Sequence, residues 1–516
     1  MSTLEQTTEP DPATVAGAAH RGSSLGRALA LLTSARFLQQ GGSFAFGVLM
    51  RGILGPTRVG VWNYVDAWRQ QLAGVSFGLH YAADREMPIL RSQGRSQEED
   101  EIRWLTFTWT ILEALVLAVG FWVYWLVGRG HMTRDVALGL GLVPILATLT
   151  SVISSYEQFL INRKHFELRA WLTIGLFFLD WTLLAFVWLG GLRALLWGLV
   201  ATWSLRVVVY AGVIRWRRLF SMRFTVRAVR PNVVGPLLRF GFPVSIFSAI
   251  FTLIQRLDSL VIGAALGATK LGLYYLGPQV AASLASLPNM LSMVSYPNLM
   301  ETYGSRGMES LKVHIKRFHQ AMLLMSPVAA ALGVFGVQLL VDVFLPAFRA
   351  GLEAMKIVIV TVVFTQTSLL SLQIFLATKR IALLMRVTII ALAVQGAVLG
   401  VGSLTGLKIE TVAWSTVAGQ GAFAVLSLAD SARLAGVTRA EALRFWGRLP
   451  LGWIGFAALI LGIDAASPDL HGFGGGVAEL AGKLAVFSVA AFGLLWLLDR
   501  DALRASRELM ATRAGR

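Results

Sequence analysis

Apolar and polar positions alternate along the chain in long blocks. Runs of roughly 20 mostly apolar residues recur, and each is long enough to cross a hydrocarbon core of about 30 Å as a helix. The short segments of strict in/out alternation that a membrane barrel requires are absent from the sequence. The pattern predicts an all-α polytopic membrane protein with fourteen transmembrane helices, at residues 28–50, 59–82, 104–127, 136–161, 170–190, 194–214, 240–262, 271–296, 319–341, 353–377, 387–404, 410–429, 449–464 and 478–498.

Composition supports this interpretation. Of 516 residues, 55% are hydrophobic and 15% are charged, and the mean hydropathy is +0.64. A soluble domain carries about 25% charged residues. The chain has no cysteine, which excludes disulfides and thiolate chemistry, and we expect neither a cofactor nor a metal site. Residues 1–27 are polar and lack the apolar core of a removable signal peptide.

The net charge of +17 reflects membrane topology rather than nucleic-acid binding. If the N-terminus is cytoplasmic, the cytoplasmic segments hold 32 lysines and arginines and the external loops hold 8. Short cytoplasmic loops retain positive charge in this way. We therefore expect a multi-pass protein of the bacterial cytoplasmic membrane with both termini inside. The densest segment, residues 215–230, could also contact anionic lipid headgroups.

A nine-residue stretch occurs twice, as LGPTRVGVW at residues 54–62 and as LGATKLGLY at residues 266–274. The offset is 212 residues, and six predicted helices fit inside it. An even number of helices predicts parallel repeats, related by a pseudo-twofold axis along the membrane normal. In each copy glycine permits a tight turn between two helices. The repeat corners are Gly55, Gly60, Gly267 and Gly272.

The repeat also predicts the domain organisation. Two six-helix bundles are expected, joined by a basic linker and followed by two additional helices. The predicted units are a polar tail at 1–27, the first bundle at 28–214, the linker at 215–239, the second bundle at 240–429, a second cytoplasmic linker at 430–448, the additional helices at 449–498 and a basic tail at 499–516.

Polar residues inside the predicted spans concentrate on the first, second, seventh and eighth helices. Ionisable groups in a membrane are costly, so they usually face a bundle interior or a water-filled cavity. If the halves pack about a near-twofold axis, these four helices can meet across a central cleft. The candidate cavity residues are Arg36, Gln40, Trp62, Asp66, Arg69, Thr252, Gln255, Arg256, Asp258 and Gln279.

Each candidate charge also has a structural explanation. Asp66 and Arg69, three residues apart, can pair with each other as a neutral bridge. Arg256 and Asp258, two apart, point away from each other and need other partners. Arg36 has no acid within one turn, so it either pairs across helices or binds an anionic ligand.

Trp62, beside Asp66 and Arg69, is a candidate for stacking on a sugar.

Other charged residues are expected to be structural. Interhelix pairs within the first bundle are expected for Glu113, Glu157, Asp180 and Arg206. Lys356 and Lys483 lie near span ends and are expected to extend their ammonium groups to the membrane surface.

The corner sequences resemble a known family. The run Met50-Arg51-Gly52-Ile53-Leu54-Gly55-Pro56 followed by Gly60-Val61-Trp62 is similar to the corner of polysaccharide transporters, and residues 240–300 resemble the same group more fully. This group is the Wzx-like, lipid-linked oligosaccharide flippase branch of the multidrug/oligosaccharidyl-lipid/polysaccharide (MOP) exporter superfamily. The resemblance implies that the central cleft is the substrate pathway.

The residues and the resemblance together favour a flippase for a polyprenyl-diphosphate-linked oligosaccharide, an exopolysaccharide repeat unit. Guanidinium groups suit a diphosphate through forked hydrogen bonds, and the lipid tail could remain in the membrane. The sequence has no phosphate loop for ATP. A coupling ion, H⁺ or Na⁺, could be carried by Asp66, Asp180 or Asp258. Expected partners are this substrate, membrane lipids and polysaccharide assembly proteins.

Two alternatives remain open. An ion-coupled drug or metabolite exporter of the same superfamily would share the architecture but would more often present acids than arginines in its cleft. A membrane-embedded glycosyltransferase or polysaccharide ligase would need a large external loop or paired acids at a span mouth. The longest predicted external loop has about a dozen residues, with Asp464 and Asp469 as its acids. An enzyme is therefore not expected.

Overall fold

A computed structural model describes residues 12–226, 229–378, 380–441, 447–468 and 472–498. Within these ranges the chain forms helices and no β-strand, which confirms the predicted fold class. The helices are α1 (Pro12–Gly74), α2 (Leu79–Ser92), α3 (Ser96–Gly128), α4 (Arg134–Asn162), α5 (Phe166–Trp216), α6 (Pro231–Val261), α7 (Ala268–Phe344), α8 (Leu352–Ile359), α9 (Thr361–Ala377), α10 (Ile381–Leu404), α11 (Ile409–Leu434), α12 (Arg439–Glu441), α13 (Arg448–Ala466) and α14 (Gly472–Leu498).

The long apolar runs form the helices that the sequence predicts. Among the described residues, nine helices are long and apolar enough to cross a membrane. At least one of them holds two predicted spans. Helix α5 has 51 residues and a non-helical break at Gly191, so it contains both the fifth and the sixth predicted span. The number of fourteen crossings therefore stays a prediction.

The two copies of the repeated stretch have the same backbone conformation. Gly55 interrupts α1 with φ 72° and ψ 173°, and Gly267 separates α6 from α7 with φ 86° and ψ 169°. A positive φ is strained for residues with a side chain, so both turns require glycine. The repeat in sequence is thus a repeat in local structure.

The two corners also contact each other. The hydroxyl oxygens of Thr57 and Thr269 lie 3.0 Å apart. A Cβ atom on Gly60 would lie 1.6 Å from the carbonyl oxygen of Ala268, and one on Gly272 would lie 1.8 Å from that of Pro56, the residue equivalent to Ala268. These reciprocal contacts join the first half (α1–α5) to the second half (α6–α11) at what we call the corner end.

A second backbone contact joins the halves at the opposite, linker end. Helix α1 ends at Gly74 and α2 begins at Leu79, so the second predicted span is interrupted. Within the interruption Gly78 has φ 92°, and a Cβ atom on Gly241 of α6 would lie 1.9 Å from the carbonyl oxygen of Gly78. The seam between the halves is therefore closed by glycine contacts at both ends.

Helix α7 contains two antiparallel arms. Its residues Val280 and Leu284 lie against Gly333, about fifty positions later in the same element, which requires the chain to reverse between them. The predicted loop at residues 297–318 is helical in the structure. Both arms contribute to the largest apolar core, which includes Leu276 and Phe335.

The two C-terminal helices, α13 and α14, pack on the second half. Trp453, Phe456 and Phe487 join the same core. Beside them Lys483, only 4% exposed, pairs with Asp464 at 2.8 Å and with Glu479 at 2.6 Å. Lys356 of α8 pairs with Asp464 at 2.7 Å. The expectation that Lys356 and Lys483 reach the membrane surface is wrong, because neighbouring helices offer them acids in the interior.

Candidate substrate cavity between the halves

A cavity of about 310 Å³ lies between the two halves. Helix α1 contributes Trp62, Asp66 and Arg69, which share one face because they are three or four residues apart. Helices α6 and α7 contribute Arg256 and Gln279 from the opposite side. Five of the ten predicted cavity residues therefore line one space.

The acids of the first half are paired where they reach this cavity. Asp66 and Arg69 form an ion pair at 2.7 Å. Arg69 also donates from Nη1 to the hydroxyl of Thr150 at 3.0 Å and lies over the ring of Trp203. Gln70 donates to the second oxygen of Asp66 at 2.6 Å. Asp66 and Arg69 therefore form the neutral bridge that was one of their two expected roles. Both residues also line the cavity.

A second pair lies on the same wall. Asp180 and Arg206, which lie on the two parts of α5, form an ion pair. Arg206 also donates a hydrogen bond to the carbonyl of Leu176 at 3.1 Å. Glu157 pairs with Arg169 at 2.9 Å. Asp180 and Glu157 thus have the interhelix pairs expected from the sequence. Asp180 and Arg206 are also cavity residues, which the sequence did not suggest.

Arg256 differs from these arginines. Its Nη1 donates to the hydroxyl of Tyr275 at 3.2 Å. Asp66 and Asp258 act on it electrostatically, but within the described part of the chain no carboxylate pairs with it at ion-pair distance. The cavity thus holds three arginines against two aspartates, and Arg256 brings the excess positive charge.

Another arginine, absent from the predicted set, lies next to the cavity. Arg51 is 0% exposed and donates from Nη1 to the carbonyl of Gly47, a cavity residue, at 2.9 Å. Its Nε and Nη2 have no hydrogen-bond partner among the described residues. The sequence signal was available, because Arg51, like Arg36, has no acid within one turn.

A neighbouring cavity of about 260 Å³ lies within the second half. It is lined by Gln255 and Asp258, and it shares Arg256, Pro278 and Ala282 with the central cavity. Asp258 is buried and accepts hydrogen bonds from the Tyr274 hydroxyl and the Ser259 backbone amide, each at 2.6 Å. Arg256 therefore stands between two polar spaces.

An apolar groove of about 450 Å³ runs between α1 and both arms of α7. Gln40 lines this groove rather than the central cavity, together with Phe37, Phe44 and Leu332. The amide of Gln279 approaches the carbonyl of Ser43 at 3.4 Å and separates the groove from the central cavity.

The remaining predicted residues lie elsewhere. Thr252 packs against Gly74 on the seam between the halves. Arg36 belongs to α1, but its side chain lies outside the described part of the structure. Sequence reasoning missed the aromatic wall of the cavity, formed by Phe177, Trp181 and Trp203. Within the described ranges, no three His, Cys, Asp or Glu side chains are grouped to hold a metal ion.

Comparison with solved structures defines the class of protein. The fold is similar to an inward-facing multidrug resistance MATE family transporter of the MOP superfamily, with a TM-score of 0.65, 14% identity and coverage of 77% of this chain and 95% of that chain. A mutant of the Vibrio cholerae MATE transporter VcmN has a TM-score of 0.56 at 13% identity, with coverage of 82% and 98%. The chain therefore has the fold of these transporters, and the nine apolar helices of its described part support a multi-pass membrane protein.

A family model, described as polysaccharide biosynthesis protein, matches residues 89–347. This match covers half of the chain, and the chain belongs to that family. The predicted resemblance to polysaccharide transporters of the MOP superfamily is confirmed at this level. A comparison with curated protein sequences finds no significant match.

Proposed function

We propose that this protein is a flippase that moves a polyprenyl-diphosphate-linked oligosaccharide from the cytoplasmic to the outer leaflet. The observation that carries the proposal is Arg256, a half-buried arginine in a cavity between the halves that forms no ion pair with a carboxylate of the described residues. Such a guanidinium keeps donors for an anionic ligand, and a diphosphate accepts them in a forked arrangement.

The surroundings of Arg256 suit both parts of such a substrate. The central and neighbouring cavities offer about 310 Å³ and 260 Å³ on its two sides, with Trp62 as a stacking surface for a sugar ring. A polar headgroup in hydrocarbon would lose several kcal/mol for each unsatisfied group, and these cavities replace water with protein donors. The adjacent apolar groove would hold part of the lipid chain.

Alternating access would come from movement of the first half against the second, with the corner and linker ends of the seam opening in turn. The proposed orientation places both termini in the cytoplasm of a bacterial cell, supported by the distribution of Lys and Arg. Labelling of single cysteines introduced into this cysteine-free chain tests that orientation.

The test is surface glycan in cells that lack the chromosomal copy and carry plasmid variants. We expect Arg256→Ala to abolish surface glycan at normal protein level, because the excess positive charge of the cavity is lost; Arg36→Ala is expected to do the same. The matched control is Arg193→Ala, which removes an exposed arginine paired with Asp135 on the protein surface. Normal glycan in Arg256→Ala at equal protein level would contradict the flippase proposal.

A drug or metabolite exporter is the second candidate, favoured by one observation. The aromatic wall of Trp62, Phe177, Trp181 and Trp203 and the acids Asp66 and Asp180 would also suit a lipophilic cation. This candidate predicts that cells without the protein accumulate ethidium and keep their surface glycan. The flippase proposal predicts that cells without the protein lose their surface glycan and do not accumulate ethidium.

A further inference from the structure

A second polar cavity lies inside the first half, between α2, α3 and α4, and is separate from the substrate cavity. Its volume is about 340 Å³. Helix α2 contributes His80 and Asp84, and α3 contributes Glu113. Helix α4 contributes only uncharged polar or small side chains, among them the hydroxyls of Thr150 and Ser154.

The charge of this cavity is not balanced by its lining. No lysine or arginine is among the residues that form it. Asp84 accepts a hydrogen bond from the Asn162 amide at 3.0 Å. Glu113 is 7% exposed, and one of its oxygens accepts from the backbone amide of Phe77. Glu113 thus departs from the interhelix pair expected from the sequence, because within the described residues no base lies at ion-pair distance.

The break between α1 and α2 borders the same space. In a continuous helix the amide of Phe77 would donate to the carbonyl of Ala73, but here it donates to Glu113. Ala73, Val75 and Ser76, which flank or form the break, all line the cavity. Interrupted membrane helices supply ion sites in this manner, because their unwound carbonyls face inward.

We propose that this cavity binds a monovalent cation, Na⁺, with the Glu113 carboxylate as its anionic ligand. Backbone carbonyls of the break and hydroxyls of α4 are the neutral oxygen ligands. A hard cation matches a lining rich in oxygen atoms, in which the Asn162 amide holds Asp84 and, within the described residues, no base neutralises Glu113. A transition metal does not fit, since the described residues offer no group of three His, Cys, Asp or Glu.

The position of the cavity gives the ion a route to influence transport. Thr150 lines the cation cavity and accepts a hydrogen bond from Arg69, which lines the substrate cavity and pairs with Asp66. An ion bound beside Thr150 would change the electrostatic environment of that pair. This coupling step rests on the proposed function, whereas binding of Na⁺ does not.

Binding is tested on the purified full-length protein by its thermal unfolding temperature in NaCl against choline chloride at equal ionic strength. We expect a saturable stabilisation by Na⁺ in the wild type, absent in Glu113→Gln. The matched control is Glu157→Gln, which neutralises a half-buried acid that pairs with Arg169 outside the cavity and should keep the Na⁺ response.

A milder variant covers the case in which Glu113→Gln does not fold. Ser154→Ala removes one neutral ligand and should raise the midpoint Na⁺ concentration roughly three- to tenfold. The titratable groups that share the cavity with Glu113 are His80, Tyr81 and Asp84 on α2, and the positive charge of Arg69 lies beside it through Thr150. An unfolding temperature that responds to pH but not to Na⁺ would overturn the assignment, as would an unchanged midpoint in Ser154→Ala.

The failure of this proposal and that of the flippase are distinguishable. The binding measurement contains no glycan substrate, so the absence of a Na⁺ response leaves the flippase proposal untouched. Conversely, normal surface glycan in Arg256→Ala leaves a measured Na⁺ site in place.

Discussion

The two halves present different chemistry to one cavity, although their corners have the same backbone. The first half places two acid–arginine pairs there, Asp66 with Arg69 and Asp180 with Arg206. The second half places Arg256 there with only a tyrosine hydroxyl as its hydrogen-bond partner among the described residues. The comparison teaches that the repeat specifies how the halves join, while the side chains beyond the corner specify what each wall can hold.

The largest effect is expected from variants that disrupt the backbone contact between the two corners. Gly60→Ala would place a Cβ atom 1.6 Å from the backbone carbonyl of Ala268, and backbone cannot move aside as a flexible side chain can. We expect a cost above the ~1–3 kcal/mol typical of overpacking, with loss of surface glycan and of monodisperse protein in detergent. Gly272→Ala should behave in the same way, because its contact with Pro56 is reciprocal.

The control for this prediction lies in the same helix. Gly52 has open space around the position of a Cβ atom, so Gly52→Ala should leave glycan and solubility unchanged. Wild-type behaviour of Gly60→Ala would mean that the corner contact is dispensable.

An intermediate effect should separate the two kinds of arginine. Asp180→Asn leaves the half-buried Arg206 without its carboxylate, and we expect a cost in unfolding free energy below the about 3–5 kcal/mol that breaking a fully buried pair costs. The double variant Asp180→Leu with Arg206→Met should recover much of that loss. Arg256→Met breaks no ion pair, so it should retain the thermal unfolding temperature and lose surface glycan instead.

Thermal unfolding in detergent measures this difference. Asp135→Asn serves as the control because its pair with Arg193 is exposed, and an exposed pair contributes below about 1 kcal/mol. Equal destabilisation by Asp180→Asn and Arg256→Met would remove the proposed distinction between the halves.

The smallest effect concerns the helices that only the second half carries. Lys483→Met removes the ion pair with Glu479 at 2.6 Å, while Lys356 still pairs with Asp464. We expect a loss of about 1–3 kcal/mol and faster proteolysis between α13 and α14, because their ionic contact is weakened. The exposed Lys408→Met is the control. An unchanged proteolysis rate would show that apolar packing alone holds these helices.

The sequence predicted the fold because hydropathy and turn chemistry are local properties. Apolar runs gave the helices, and Gly55 and Gly267 gave two turns with positive φ. The pair of Asp66 and Arg69 could also be foreseen, since residues three apart on a helix are neighbours. The break in the second predicted span at residues 75–78 was missed, because its apolar pattern continues through Gly74 and Gly78.

The partners of charged residues could not be predicted where they come from distant helices. Lys483 and Asp464 look like two residues near span ends until α13 and α14 pack together. Glu113 looks like the other acids of the first half until the break before α2 brings the amide of Phe77 to it, with no base at ion-pair distance among the described residues. Arg51 was passed over because the first predicted span ended at residue 50, which placed this arginine in a loop.

The glycine contacts at the two ends of the seam have a consequence for motion. Where Gly60 meets Ala268 and Gly78 meets Gly241, peptide groups touch with almost no side chain between them. Parting such surfaces exposes carbonyl and amide groups, which water hydrates readily, and adds little oily area to the solvent. The hydrophobic effect therefore adds little resistance at these backbone contacts themselves, and the resistance to separation comes from the apolar clusters that cross the seam beside them, in which Leu54 joins Leu271 and Leu79 joins Val234.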